Sequence, residues 1–194
     1  MRALIWFRND LRIHDHEGLY RAAKEYREHI GLHALDPRHF ADTSAGFPKT
    51  GPYRAQFLLE SLKQLRYNLQ ILGGDLVVRQ RSAAESISEV HDASPIDVIY
   101  YQKEFTREEL LEEEEVRALG IEMMPFYGKT LVHPEDVAKG IDRLPNGFTS
   151  WRKRQEAHWV VREEFDRPTE LFFPNTVNPG PLPSLVDLGL EQIV

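Results

Sequence analysis

The chain has 194 residues, 41% of them hydrophobic, and its 31 Asp and Glu against 24 Lys and Arg give a net charge of −7, which disfavours strong nucleic-acid binding by this chain alone. The absence of cysteine excludes disulfides, thiolate metal sites and a cysteine nucleophile. Since no apolar run approaches the roughly 20 residues of a membrane helix and charges interrupt any signal sequence, we expect a cytoplasmic protein without a membrane partner.

Five short apolar runs alternate with segments of helical periodicity. The runs cover residues 3–7, 30–35, 76–79, 96–101 and 121–125. All but the third are rich in Val, Ile, Leu or aromatic residues without clean alternation, which is typical of strands buried on both faces. The pattern predicts an α/β fold: a doubly wound, Rossmann-like, five-stranded parallel sheet with helices on both faces and an extended C-terminal strap.

The helices between these runs have recognisable ends. Leucines recur at helical spacing from Leu58 to Leu72, and the pair Gly73-Gly74 is expected to end that helix. Residues 106–109 form a capping box that opens a helix closed by Gly120. Residues 149–164 are also predicted to be helical.

The C-terminal third has a different composition. We predict an α/β domain over residues 1–128, a late block with an interface helix over 129–166, and a proline-rich linker over 167–194. Five prolines between residues 167 and 184 exclude a helix or a central strand there. The apolar residues of this linker predict a strap that packs along a surface, and we expect it to lead into a neighbouring domain.

Two charged segments follow predicted strands, and ligands of doubly wound sheets lie beyond the carboxyl ends of the strands. Residues 8–12 (Arg-Asn-Asp-Leu-Arg) follow the first strand, and residues 102–104 (Gln-Lys-Glu) follow the fourth. The first turn lacks G-x-G-x-x-G, G-K-[ST] and any Ser/Gly-rich phosphate loop, so ordinary dinucleotide and phosphate cradles are absent. The charges of Arg8, Asp10 and Arg12 therefore indicate either a knot of salt bridges that fixes the loop or the mouth of a site.

Glu104 is the most informative single position. A carboxylate at the carboxyl end of a strand can accept two parallel N–H bonds, as it does from arginine, which suits a guanidine-like edge of a heterocycle. The alternative is a helix cap or a salt bridge to Lys103 or Arg107.

Three other polar groups have plainer interpretations. The sequence His14-Asp15-His16 is weak evidence for a metal site, and Asp15 is better explained as the N-cap of the following helix. The acidic run 112–115 is most simply a solvated helix face. Trp151, Arg152 and Arg154 indicate either a phosphate contact or a domain interface.

Five sequence blocks, in order along nearly the whole chain, resemble the DASH branch of the DNA photolyase and cryptochrome family. The first two are "WFRNDLRIHDHEGL" and "FPKTGPYRAQFLLESLKQLRYNLQILGGDLVVR". The others are "YYQKEFTREE", "TLVHPEDVAKGIDRLPNGFTSWRKRQE" and "PGPLPSLVDLGL". The resemblance implies the N-terminal antenna domain of such a protein, cut before the flavin domain. The alternatives are a stand-alone nucleotide-binding or protein-interaction module and an electron-transfer-flavoprotein-like binder, which would need the phosphate loop that is absent.

The resemblance also implies cofactors and partners. The antenna chromophore of this branch is usually methenyltetrahydrofolate, with its pterin edge on Glu104 and with Arg8, Asn9, Gln102 and Lys103 nearby. FAD, the electron-transfer tryptophans and the residues that bind a pyrimidine dimer belong to a C-terminal helical domain, so no catalytic residue is expected in this chain. The expected partners are that FAD-binding domain and, for the full protein, damaged DNA that is mainly single-stranded; a blue-light photoreceptor is the other role. Asp10, Arg12, Trp151, Arg152 and Arg154 are assigned to the domain interface. The isolated domain is expected to self-associate, with residues 171–173 at the contact.

Overall fold

The computed structural model describes residues 1–137 and 147–192. Residues 138–146 of the predicted late block and 193–194 of the predicted linker lie outside the described residues. Five parallel strands form one sheet in the order β3-β2-β1-β4-β5. The strands are β1 (Arg2–Trp6), β2 (Glu28–Ala34), β3 (Leu76–Arg79), β4 (Val98–Gln102) and β5 (Glu122–Phe126). The helices are α1 (Glu17–Glu25), α2 (Pro52–Ile71), α3 (Ala83–Ala93), α4 (Arg107–Arg117) and α5 (Phe148–Glu156).

Both faces of the sheet are covered, which confirms the predicted fold class. Ile5 packs with the α2 leucines on one face, whereas Leu4 packs with Ile87 and Val90 of α3 on the other. Because successive side chains of a strand point to opposite faces, a central strand covered on both sides needs apolar residues at every position. Burial of each such side chain contributes about 1.5–3 kcal/mol.

The predicted helix ends are confirmed for α2 and α4. Gly73, with φ +85°, follows α2, and Gly120, with φ +75°, follows α4. At the start of α4, the carboxylate of Glu109 accepts the backbone N–H of Thr106 at 3.2 Å, as a capping box requires.

The helix predicted over residues 149–164 is wrong in its second half. Helix α5 ends at Glu156, and no regular secondary structure is assigned to residues 159–164. Val160 and Val161 are 75% and 52% exposed, so no apolar face is buried there. Two adjacent β-branched residues without a packing surface do not favour a helix.

The proline-rich strap packs along the domain as predicted. Leu171 and Val177 are buried in the two cores. The backbone N–H groups of His29 and Val78 donate to the carbonyls of Phe172 and Pro179, at 2.8 and 3.0 Å. The domain boundaries at 128 and 166 stay a prediction. In the part of the chain described here, no helix has the length and apolar character needed to cross a membrane.

Candidate functional site

The Arg8 side chain joins the end of β1 to α4. Its Nη1 donates to Glu113 Oε1 at 2.7 Å, and its Nη2 donates to the carbonyl of Glu109 at 3.0 Å. The guanidinium also lies 4.5 Å from the centre of the Trp6 ring. The two charged side chains are almost fully buried, at 5% and 3% exposed. Arg8 is therefore placed as a brace between the sheet and α4.

Asp10 anchors the turn that follows β1. Its Oδ1 accepts the backbone N–H of Arg8 at 2.8 Å, and its Oδ2 lies 2.9 Å from His16 Nε2. The N–H of Leu19 donates to His16 Nδ1 at 3.0 Å, so Nε2 carries the ring proton. Burial acts to raise the pKa of Asp10, but the hydrogen bonds from His16 and from the backbone N–H of Arg8 outweigh it, and the pKa lies below its ordinary value.

The predicted knot is not formed among the three charged side chains of the turn. Arg8 pairs with α4 and Asp10 with His16, whereas Arg12 Nη2 donates to the carbonyls of Asp15 and Gly128, at 2.7 and 3.2 Å. The turn is fixed, but through partners distributed over several elements. Spacing along the sequence does not show which residues meet across the fold.

The His14-Asp15-His16 segment also differs from its prediction. The N-cap of α1 is His16 and not Asp15. Asp15 has a positive φ of 49°, and its carboxylate accepts the backbone N–H of Phe165 at 3.3 Å. Among the described residues, no group of three or more His, Asp or Glu is arranged to hold a metal ion.

The acidic run of α4 is only partly solvated, which corrects the prediction. Glu113 is buried against Arg8, and Glu112 lies 2.6 Å from His39 Nε2. Glu115 pairs with Arg38 at 2.8 Å. The run therefore ties α4 both to β1 and to the loop of residues 36–51.

Glu104 lies at the carboxyl end of β4 with a fully buried side chain. Its Oε1 accepts a hydrogen bond from Asn9 Nδ2 at 3.1 Å, and its Oε2 pairs with the ammonium of Lys129. The salt bridge that the sequence placed on Lys103 or Arg107 is thus made by Lys129. This residue follows β5, the neighbour of β4, so its position after the next strand was the signal that sequence analysis missed.

Gln102 and Lys103 flank Glu104 differently. Gln102 Oε1 is buried and has no hydrogen-bond partner in the described parts of the chain. It lies against Gly128 so closely that a Cβ there would be 3.0 Å from it. The Lys103 ammonium instead lies 5.9 Å from the centre of the Tyr127 ring.

A cavity of about 190 Å³ opens beside this site, between the ends of β1 and β2 and the helices α2 and α4. His33 lines it, and its Nδ1 is 3.0 Å from the Phe7 carbonyl. Since a carbonyl only accepts, Nδ1 carries the proton and Nε2 is an acceptor. Burial lowers the pKa of His33 to about 4, so the ring is neutral.

The predicted interface residues of α5 are mostly exposed. Arg152 pairs with Glu156 at 3.4 Å, Arg154 is exposed, and the Trp151 ring lies 5.9 Å from that of Phe148. Their assignment to a domain interface or to phosphate stays a prediction.

Of the predicted antenna-binding residues, the structure brings together Asn9, Gln102 and Glu104 at the ends of two neighbouring strands.

The fold and the five sequence blocks quoted above define a photolyase-type α/β domain. The DNA photolyase family model matches residues 3–169, and the chain belongs to that family. Within the family it corresponds to the N-terminal domain of DASH-type cryptochromes. It is 41% identical to the cryptochrome DASH of Gloeobacter violaceus over 98% of this chain and 39% of that protein.

Solved structures agree with this assignment. The crystal structure of a Synechocystis cryptochrome superposes with a TM-score of 0.91 and 38% identity, over the whole of this chain and 41% of that one. An archaeal photolyase from Sulfolobus tokodaii shares the fold, with a TM-score of 0.75 and 23% identity, over 92% of this chain and 40% of that one. The chain thus spans about two fifths of the length of these relatives.

Proposed function

We propose that this chain is a light-harvesting domain that binds methenyltetrahydrofolate at the carboxyl ends of β1 and β4. The observation that supports it is the meeting of Asn9 and Glu104 where the strand order turns back, since β1 lies between β2 and β4. Crevices at such positions hold the ligands of doubly wound sheets. The bound folate absorbs light and passes the energy to FAD in a helical domain of the longer protein. That protein repairs pyrimidine dimers in mainly single-stranded DNA or acts as a blue-light photoreceptor.

The donor groups of a pterin fit the residues present. The amino group and the adjacent ring N–H of a pterin form a parallel donor pair, and a carboxylate accepts such a pair in the way it accepts arginine. Glu104 offers this carboxylate, with Asn9 fixing its orientation, and Gln102 adds a buried acceptor that has no partner among the described residues. These residues bind and orient, and no chemical step is assigned to them.

Glu104→Gln should weaken binding of methenyltetrahydrofolate. It replaces an acceptor oxygen by a donor that faces the pterin, at a loss of about 1.5–3 kcal/mol for a hydrogen bond to a charged group. The affinity falls by roughly 10- to 150-fold. The measurement is a titration followed by the near-ultraviolet absorbance of the folate, with this chain and with a chain extended through the flavin domain.

Glu108→Gln is the matched control. Its carboxylate belongs to the same block but is 67% exposed and pairs with Lys49 at the rim of the cavity. We expect this variant to bind folate like the wild type. Loss of folate binding in Glu108→Gln, together with full binding by Glu104→Gln, would show that the site lies at the first turn of α4 and not at the strand end.

The cavity beside His33 supports a second candidate, a flavin-like or nucleotide ligand. The neutral ring presents Nε2 as an acceptor for a ligand N–H, and Lys49 and Arg54 lie at the same cavity for an anionic group. The test is a binding titration with FMN in place of folate. Tight FMN binding that His33→Leu abolishes, together with no folate binding, would favour this function.

Self-association of the isolated chain is a further proposal. The sequence placed the contact at residues 171–173, but Leu171 is buried in the core and only Phe172, at 52% exposed, is available. Val160 and Val161 offer a larger exposed apolar surface beside Trp159. Sedimentation velocity should show dimers at high concentration, reduced by Val160→Thr with Val161→Thr. A monomer at all concentrations contradicts this prediction.

A further inference from the structure

Lys129 closes the site at Glu104. We propose that Lys129 is a displaceable counter-ion, whose ammonium occupies the position that the donor edge of a pterin takes on Glu104. This inference rests on the proposed function and adds the residue that controls access to it.

The two partners of this ion pair differ in burial. The Glu104 side chain is 0% exposed, whereas the Lys129 side chain is 41% exposed. Lys129 can therefore swing into water without burying a charge. Glu104 has no such route: without Lys129 it keeps the Asn9 amide on Oε1 but loses the donor to Oε2 and its opposite charge, which is strongly unfavourable for a buried carboxylate. When Lys129 leaves, another donor must take its place on Glu104, and a pair of N–H groups on a ligand can do so.

The segment that carries Lys129 also covers Gln102. Gly128 lies against Gln102 Oε1, the buried acceptor to which none of the residues in 1–137 and 147–192 donates. The segment lies between β5 and a short 3-10 turn at Pro134–Asp136, and the Gly128 carbonyl is bound by the partly exposed Arg12. Movement of residues 128–129 thus uncovers two acceptors at once. A ligand with adjacent donors gains a bond at Gln102 that the closed form does not make.

This arrangement predicts that stability and affinity change in opposite directions. Lys129→Met leaves Glu104 without its counter-ion, so the ligand-free protein is less stable to urea. The same variant binds pterin more tightly, because no fraction of the protein is held closed; for a closed form populated about 90% the gain is about ten-fold. A residue that only braces the fold would lower stability without raising affinity.

The experiment titrates wild type, Lys129→Met and the control Lys63→Met, an exposed lysine of α2, with two probes. Pterin carries the 2-amino donor, and lumazine has an oxygen in its place. We expect Lys129→Met to gain about ten-fold for pterin, with little gain for lumazine, and Lys63→Met to match the wild type. Lys129→Arg keeps the charge and can pair through two N–H groups, so it should fold normally and bind pterin several-fold more weakly.

The outcomes separate this inference from the proposed function. If the wild type binds pterin, and Lys129→Met binds it no more tightly and Lys129→Arg no more weakly, the role of Lys129 is overturned while the proposed function stands. If neither wild type nor Lys129→Met binds pterin or folate, the proposed function fails and this inference fails with it. Binding by Lys129→Met where wild type binds only weakly supports both.

Discussion

Arg8→Met should lower the free energy of unfolding by about 3–5 kcal/mol, because it removes one partner of a buried ion pair and leaves the other charged. The carboxylate of Glu113, 3% exposed, would stay buried, and the one donor left to it among the described residues is the backbone N–H of Glu104 at 3.2 Å. The bond to the Glu109 carbonyl and the contact with the Trp6 ring are lost as well. Urea unfolding followed by circular dichroism measures the difference.

Two comparisons separate the lost charge from the lost volume. Glu113→Gln added to Arg8→Met removes the stranded carboxylate, so the double variant should be more stable than Arg8→Met alone. Arg12→Met, at a side chain 37% exposed, should change stability by less than about 1 kcal/mol. Equal effects at positions 8 and 12 would contradict the role of Arg8 as a brace.

The protein should begin to lose stability at pH values higher than those at which its carboxylates titrate. His33 should cause much of this loss. Burial lowers the pKa of His33 to about 4 from the ordinary 6.5. The unfolded state therefore binds more protons between these values, and the stabilisation present above pH 6.5 is lost as the pH falls to about 4. The difference corresponds to about 3 kcal/mol. The measurement is urea unfolding at pH 7, 6, 5 and 4.

His33→Asn tests the assignment, because its amide can keep the donor to the Phe7 carbonyl while losing the titrating ring. We expect a flatter dependence of stability on pH in this variant. Burial also lowers the pKa of His29, so a smaller slope of the same sign should remain. His14→Asn is the control, since His14 is 53% exposed. An unchanged slope in His33→Asn with a flattened one in His14→Asn would show that His33 is not the responsible group.

The sheet and most of its helices could be predicted because their causes are local. Continuous apolar runs, the capping box at Thr106 and the glycines after α2 and α4 each act within a few residues. The C-terminal end of α5 could not, since it depends on whether a buried surface faces Val160. Periodicity predicts a helix wherever a face is possible, but the structure forms one only where that face is covered.

In the candidate site, too, some features could be predicted from the sequence and others could not. Strand order brings the turn after β1 beside the end of β4, so the proximity of Asn9 to Glu104 follows from topology. The partners of the buried charges do not, because Lys129 and Glu113 look in the sequence like ordinary surface residues. Ion pairing across elements is decided by packing, which no local pattern encodes.

The strap has a consequence for the solubility of the sheet. β3 is an outermost strand, with backbone groups that could pair with another chain and start aggregation. The Pro179 carbonyl already accepts the N–H of Val78, and Arg79 donates to the carbonyls of Asn178 and Pro179. Prolines lack an N–H, so the strap ends the hydrogen-bonded ladder without offering a new template. The strap therefore also protects the sheet from adding strands.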